Sequence, residues 1–274
     1  MHEAARLGDD VRVMHRWRAL PAVDAFPGFG YGYGTGFSPA DMQKRGDLAE
    51  ELVAASVGAA QSEGGLPIGR IVNDVHPGDP GVDLVEASGA ADLLVLGTRR
   101  HGALASAIVG STANYVLHHA RCPVMIVPAA TSPIATWARV VVGVDGSAPA
   151  AAALRWAATC ARARACPLLV IHAWQIATAP DWLLATAMGE TFGKQSDSWL
   201  HEQVAEILPD QEGLSIELRA VEDFAGNALL GVAGPEDLLV VGSRGRSAFV
   251  DLALGSVAMQ CAHHARSAVA VVRV

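Results

Sequence analysis

Apolar and polar positions in the second half of the chain alternate in blocks that predict strands and helices in turn. Residues 140–144 form a continuous apolar run, which is typical of a strand buried on both faces. An Ala- and Leu-rich segment at 150–164 follows, and Ser147 and Pro149 before it favour the start of a helix. The same pattern predicts helices at 195–208, 225–233 and 256–264 and strands at 168–173, 214–221, 238–241 and 268–274.

Alternating strands and helices of this kind predict an α/β fold. Short apolar strands joined through helices form a parallel sheet that carries helices on both faces. In such sheets ligands bind beyond the carboxyl ends of the strands, where the strand order reverses. We therefore expect any ligand site of the second half at that edge.

An internal repeat organises the whole chain. Residues 92–97 (Asp-Leu-Leu-Val-Leu-Gly) match residues 237–242 (Asp-Leu-Leu-Val-Val-Gly) at an offset of 145 positions. The same offset relates Gly110-Ser111 to Gly255-Ser256, and the His-His-Ala-Arg segment at 118–121 to the one at 263–266. Several matches at one offset indicate a tandem duplication of one domain.

The beginning of the chain carries the same repeat with one strand missing. Residues 11–17 match residues 168–174 at an offset of 157, and a Gly-rich stretch at 26–36 accounts for the difference in length. The offset places Met1 opposite Ala158, so the segment at 139–157 has no counterpart. We expect a first copy at 1–130 that lacks its first strand, through an upstream start or a truncated gene, and a complete second copy at 139–274.

The loop after residues 238–241 is the strongest candidate for chemistry. It has the spacing G-x2-G-x9-G-S, from Gly242 and Gly245 to Gly255-Ser256. Glycines allow a sharp turn and bring backbone N–H groups against a ligand. Ser256 opens a helix, whose first-turn N–H groups and positive dipole end attract anions, and its hydroxyl could cap that turn or donate to a phosphate. The spacing therefore predicts a polyphosphate site.

Together with the segment Val-Gly-Val-Asp-Gly-Ser at 142–147, this loop resembles the universal stress protein family. The resemblance implies two tandem copies of a Rossmann-like, adenine nucleotide alpha hydrolase-like domain, the first incomplete. In ATP-binding members the loop holds the phosphates and ribose, an Asp after the first strand lies by the nucleotide, and a small apolar residue of the second strand touches the adenine. By position these residues are Asp145 and Ala173.

The resemblance therefore implies a protein that binds ATP, with or without Mg²⁺, mainly in its second copy and without rapid turnover. Its role would lie in stress or dormancy responses. A slow ATP hydrolase or nucleotidyl-transfer enzyme, and an interaction protein without nucleotide, stay open as alternatives. The expected nucleotide-binding residues are Gly143, Val144, Asp145, Ala173, Gly242, Ser243, Arg244, Gly245, Arg246, Gly255, Ser256 and Val257; no catalytic or metal-ligating residue is expected.

The first copy departs from the family pattern. Arg100 occupies the position of the second loop glycine, where it would either block the approach of the backbone to a ligand or supply a cation to phosphate. Asp145 has no counterpart in this copy. We therefore expect the first copy to act as a structural partner of the second and not as an equal ATP site.

Composition and charge exclude several other classes. The net charge is −8 and no Lys/Arg-rich run occurs, which argues against nucleic-acid partners. No apolar run is long enough to span a bilayer and the N-terminus lacks a signal-peptide core, so we expect a cytoplasmic protein without membrane contact. A homodimer or an intramolecular pairing of the two copies is the expected assembly.

Overall fold

The computed structural model describes residues 9–17, 39–64, 69–98, 109–128, 137–175, 182–246 and 254–274. The chain divides into two compact units, Met1–Leu84 and Val85–Val274. In the described ranges, no helix is both long enough and apolar enough to cross a membrane.

The first unit is built on a two-stranded parallel sheet. Strand β1 (Val11–Trp17) pairs with β2 (Ile71–Pro77), and helix α1 (Pro39–Gly64) lies between them in the chain. Arg16 of β1 is almost fully buried and donates to the carboxylates of Asp74 and Asp83 at 3.0 and 2.6 Å. The hydrogen bond from Arg16 is the largest cause that lowers the pKa of Asp74, and a hydrogen bond from Arg12 lowers it further. The ion pairs compensate the burial of the guanidinium.

The second unit contains one seven-stranded sheet in the order β3-β4-β9-β8-β5-β6-β7. Helix α2 (Pro80–Ala87) contains the boundary between the two units in the chain. Its elements, in chain order, are β3 (Leu94–Gly97), α3 (Ser111–His119), β4 (Val124–Val127), β5 (Val140–Gly143), α4 (Ala148–Arg164), β6 (Leu168–Trp174), α5 (Trp182–Ile207), β7 (Ile216–Glu222), α6 (Ala225–Val232), β8 (Leu238–Gly242), α7 (Ser256–His264) and β9 (Ala268–Val272). The predicted α/β fold with a largely parallel sheet is confirmed.

Strand β5 is the centre of the second copy. It pairs in parallel with β6 on one side and β8 on the other. Val140, Val141 and Val142 are completely buried because helices cover both faces of the strand. On one face Leu154 of α4 and Leu200 of α5 pack against Val140 and Val142. A continuous run of β-branched residues suits this position, since the side chains on both faces of the strand are buried.

One ion pair fixes the amino-terminal end of β5 against β8. Arg139 donates to the buried carboxylate of Asp237 at 3.1 Å and to the carbonyl of Val232 at 2.9 Å. Asp237 also accepts from the backbone N–H of Gly234 at 2.8 Å. The backbone N–H of Leu238 donates to the carbonyl of Arg139 at 3.0 Å and starts the ladder between the strands. The ion pair therefore helps to fix the register of β5 relative to β8 at the amino-terminal ends of the two strands.

The two copies join through their last strands. Strands β4 and β9 pair antiparallel, with Met125 opposite Ala270, while all other neighbours in the seven-stranded sheet run parallel. Strands from the two copies therefore pair with each other in the second unit, and the homodimer or intramolecular pairing expected as the assembly stays a prediction. The pairing of β4 with β9 leaves β3 at one edge of the sheet.

The two copies can be compared at equivalent positions. Val240 of β8 is completely buried, whereas its counterpart Val95 of β3 is 54% exposed. We expect Val240→Ala to lower the free energy of unfolding by about 2 kcal/mol, because it leaves a cavity in the core. The matched variant Val95→Ala should change it by less than about 0.5 kcal/mol, since an exposed side chain leaves no cavity. Urea unfolding of both variants would measure this, and equal effects would contradict the burial difference.

Candidate functional site

The carboxyl ends of β5, β6 and β8 surround a cavity of about 540 Å³. All of the nucleotide-binding residues expected from the sequence line it except Ser243. Ser243 is buried, its N–H donates to the carbonyl of Val272, and its carbonyl accepts from the N–H of Gly255, both at 2.7 Å. These two backbone hydrogen bonds join the ends of the loop, and the role of Ser243 in nucleotide binding stays a prediction.

The amino terminus of α7 forms the polar wall of the cavity. Gly255 is the N-cap in extended conformation, and no side chain caps the helix. The first helical bond runs from the N–H of Met259 to the carbonyl of Gly255, so the N–H groups of residues 256–258 have no acceptor within the helix. Ser256 does not cap the turn, in contrast to Ser147, which accepts from the N–H of Ala150 at the start of α4. This helix end therefore presents donors and the positive end of its dipole to the cavity.

Asp145 connects the end of β5 to the loop after β8. One carboxylate oxygen accepts from the N–H of Ser147 at 3.0 Å, and the other accepts from the N–H of Arg246 at 2.9 Å. A Cβ atom at Gly245 would lie 2.7 Å from that second oxygen. Asp145 and Gly245 thus depend on each other, because any side chain larger than hydrogen at position 245 would collide with the carboxylate of Asp145.

Gly242 lines the cavity and also has a packing role that the sequence did not predict. A Cβ atom here would lie 2.7 Å from the carbonyl carbon of Pro149 and 2.9 Å from the nitrogen of Ala150. Gly242 therefore allows the end of β8 to pass close to the first turn of α4. Its counterpart Gly97 in β3 has no atom within 4 Å of the same position.

The remaining wall of the cavity is apolar, and the sequence analysis did not predict most of its residues. Ile171 and Ala173 come from β6 and Leu229 from α6. Only Ala173 was expected, through the family resemblance. The additional lining residues are Ala150, Ile171, His172, Ala225, Leu229, Val241 and Ala258. Ala225 and Leu229 lie four residues apart on a predicted helix and therefore on the same helix face. This spacing could have indicated that α6 contributes to the wall.

His172 is a structural histidine. Its Nδ1 lies 3.0 Å from the carbonyl oxygen of Val144, and its ring packs on Trp199 with centroids 4.3 Å apart. The ring therefore holds the end of β5 to β6.

The charges at the mouth of the cavity favour an anion. Arg244 and Arg246 are exposed and line it, and Asp145 is the single acid among the lining residues that the structure describes. Burial lowers the pKa of the neighbouring Arg273, and the charge of Arg244 lowers it further. In the described ranges no group of three or more His, Cys, Asp or Glu could hold a metal ion.

The equivalent loop of the first copy lies mostly outside the described residues. Gly97 and Thr98 are described, and the N–H of Thr98 donates to the carbonyl of Val127 at 3.0 Å, as Ser243 does to Val272. Arg100 falls outside the described ranges, so its interpretation stays a prediction.

The sequence model of the universal stress protein family matches residues 1–128 and 136–273. The chain belongs to the universal stress protein family. The domain limits that the repeat predicts, 1–130 and 139–274, stay predictions beside these matched ranges.

Known relatives agree with this membership. A universal stress protein of Mycobacterium tuberculosis is 31% identical over 195 residues, which cover 69% of this chain and 64% of the relative. The chain thus spans less than two thirds of that relative's length. A universal stress protein of Mycobacterium bovis is 30% identical over 236 residues, or 81% of this chain and 69% of the relative. The crystal structure of a universal stress protein from Archaeoglobus fulgidus covers 99% of this chain and 93% of its own, with a TM-score of 0.63 and 18% identity, and supports the fold.

The two loop glycines give a matched test of packing. Gly242→Ala should lower the free energy of unfolding by about 1–3 kcal/mol, because the new methyl group meets the backbone of α4, which cannot rotate away. Gly97→Ala should change it by less than about 0.5 kcal/mol, since the position is open. Thermal unfolding of both variants is the measurement. A Gly242→Ala protein as stable as the parent would show that the strand does not approach α4 this closely.

Proposed function

We propose that this protein binds ATP in the cavity of its second copy and acts as a regulatory protein in a stress response. The observation that carries the proposal is the pairing of two walls in one cavity of about 540 Å³. One wall is the uncapped amino terminus of α7 with Arg244 and Arg246 beside it, and the other is the apolar surface of Ile171, Ala173 and Leu229. A nucleotide has a polyanionic end and a flat, weakly polar end, so it matches both.

In this proposal the phosphates lie at the loop. The N–H groups of Ser256 and Val257 would donate to phosphate oxygens, and the two arginines would compensate the charge. The base would lie against Ala173 and Leu229. Asp145 would hold the loop in place through Arg246 and lie close to the nucleotide.

Mg²⁺ would reach the site with the nucleotide. The described residues offer no cluster of metal ligands, and the carboxylate of Asp145 is already engaged by two N–H groups. Mg²⁺ commonly keeps several waters and is held by phosphates with one or two carboxylates. The residues present are compatible with that mode, in which the phosphates of the nucleotide and water molecules supply most of the ligands of Mg²⁺.

Binding and regulation fit the cavity better than turnover. Asp145 is its single acid among the described lining residues, and His172 directs Nδ1 at a backbone carbonyl. Neither forms a nucleophile–base pair with another lining residue. Bound ATP would then act by shifting the balance between conformations or partners.

Isothermal titration calorimetry with ATP tests the site. We expect Gly245→Arg to abolish binding, because its side chain collides with Asp145 and fills the space of the phosphates. Gly58→Arg on α1 adds the same charge at a position with no atom within 4 Å of a Cβ and should bind like the parent. Retained affinity in Gly245→Arg would rule out this location.

Two assays separate the alternative functions. Steady phosphate release from ATP that is lost in Asp145→Ala would favour a slow hydrolase. An interaction protein without nucleotide would show neither nucleotide after purification from cells nor heat on titration with ATP.

A further inference from the structure

Helices α6 and α7, which contribute to the two walls of the cavity, contact each other at Gly226 and Gln260. Gly226 is buried in the first turn of α6, and Gln260 lies in the second turn of α7. The three atoms nearest to a Cβ atom added at Gly226 all belong to the side-chain amide of Gln260, and the added atom would overlap this amide. The amide therefore lies directly on the backbone of α6, closer than a residue with a side chain would allow.

Hydrogen bonds continue from this contact to the sheet. Nε2 of Gln260 donates to Oδ1 of Asn227 in α6 at 3.2 Å. Nδ2 of Asn227 donates in turn to Oδ1 of Asp223 at 3.5 Å, and the N–H of Asp223 donates to the carbonyl of Trp174 at 3.1 Å. A chain of polar contacts thus runs from α7 through the start of α6 to the end of β6, where Ala173 lines the cavity.

The contact lies one helical turn from a lining residue on each helix. Gln260 follows Ser256 by four positions in α7, and Gly226 precedes Leu229 by three positions in α6. Residues at these spacings are neighbours on the helix surface. Ser256 belongs to the wall at the amino terminus of α7, and Leu229 belongs to the apolar wall. Because a helix is stiff over one turn, the separation of α6 and α7 at Gly226 sets the separation of the two walls.

Helix α6 is also held against the sheet. A Cβ atom at Gly143 of β5 would lie 2.9 Å from Cδ1 of Leu229, so α6 approaches β5 closely at this point. The helix is thus in close contact with β5 through Leu229 and with α7 through Gly226. These two contacts together fix the position of the apolar wall relative to the amino terminus of α7.

The polar pair is specific to the second copy. At the offset of 145 positions, Asn227 corresponds to Val82 of the first copy. Gln260 corresponds to Tyr115. A valine side chain has no hydrogen-bond acceptor, so this bond cannot form between the equivalent residues. The bond therefore occurs in the copy for which we propose the nucleotide site.

We propose that Gln260 is a positioning residue of the nucleotide site, which holds α6 against α7 so that one ligand can contact both walls together. The inference rests on the proposed function, because it concerns the same cavity. Gln260 is absent from the lining residues in the described part of the chain, so it acts through the two helices and not through contact with the ligand. The affinity for a ligand that spans both walls depends on their spacing, whereas the affinity for a ligand that contacts one wall does not.

Calorimetric titrations with ATP, adenosine and inorganic tripolyphosphate test this spacing. Gly226→Ala places a methyl group against the amide of Gln260 and should push the helices apart, so ATP should bind about tenfold more weakly. Adenosine and tripolyphosphate should each bind within about twofold of the parent value. Gly231→Ala is the matched control on the same helix, because no atom lies within 4 Å of its Cβ, and it should bind all three ligands as the parent does. Equal losses of affinity for all three ligands in Gly226→Ala would contradict a positioning role.

Removing the amide tests Gln260 itself. Gln260→Ala should weaken ATP binding by about threefold or more, again without a comparable effect on adenosine or tripolyphosphate. The same substitution removes the atoms that the methyl group of Gly226→Ala would meet, so the double variant should bind ATP no more weakly than Gln260→Ala alone. Non-additivity of this kind is expected of two residues in direct contact. Full additivity of the two losses would overturn the proposal, and thermal unfolding checks that each variant is folded during the titration.

The parent protein separates this inference from the proposed function. A parent that binds no ATP would contradict both of them. A parent that binds ATP, with the same affinity in Gly226→Ala and in Gln260→Ala, would contradict the positioning role alone and would leave the assigned site intact.

Discussion

The burial of β5 on all sides is the constraint on which the second copy depends. Its backbone is paired by β6 and β8, and its valines enter the cores on both faces of the sheet. A strand in this position can contain no charge, and the pair Arg139–Asp237 fixes it only at its amino-terminal end, outside the core. The carboxyl end of β5 is therefore held between β6 and β8, and Asp145 lies two residues after the end of the strand.

That placement explains how residues far apart in the chain come together at the site. Asp145 reaches the loop after β8 because β5 and β8 are adjacent, although the residues are about a hundred positions apart in the chain. Gly242 and Gly245 serve two separate packing requirements, one against the start of α4 and one against the carboxylate of Asp145. The uncapped end of α7 is the part of the loop left to interact with a ligand.

The described strands of the first copy are divided between the two compact units. Its β3 and β4 extend the sheet of the second copy through β9, and its β1 and β2 form a sheet in the first unit. A repeat that is continuous in sequence is thus distributed over two compact units. Asp92 and Val95 are exposed, whereas their counterparts Asp237 and Val240 are buried and Asp237 is paired with Arg139.

The sequence by itself determined the α/β class, the duplication and most of the cavity wall, because strand periodicity, a constant offset and glycine spacing are local properties. It could not determine that Ser243 turns its backbone inward, that Gly242 packs on α4, or that Ile171 and Leu229 complete the apolar wall. Those features depend on which elements become neighbours, and strand order is decided by long-range packing. Only the tertiary structure also showed that one Asp of the repeat, Asp237, is buried and paired while the other, Asp92, is exposed, since the difference comes from a neighbour and not from the residues themselves.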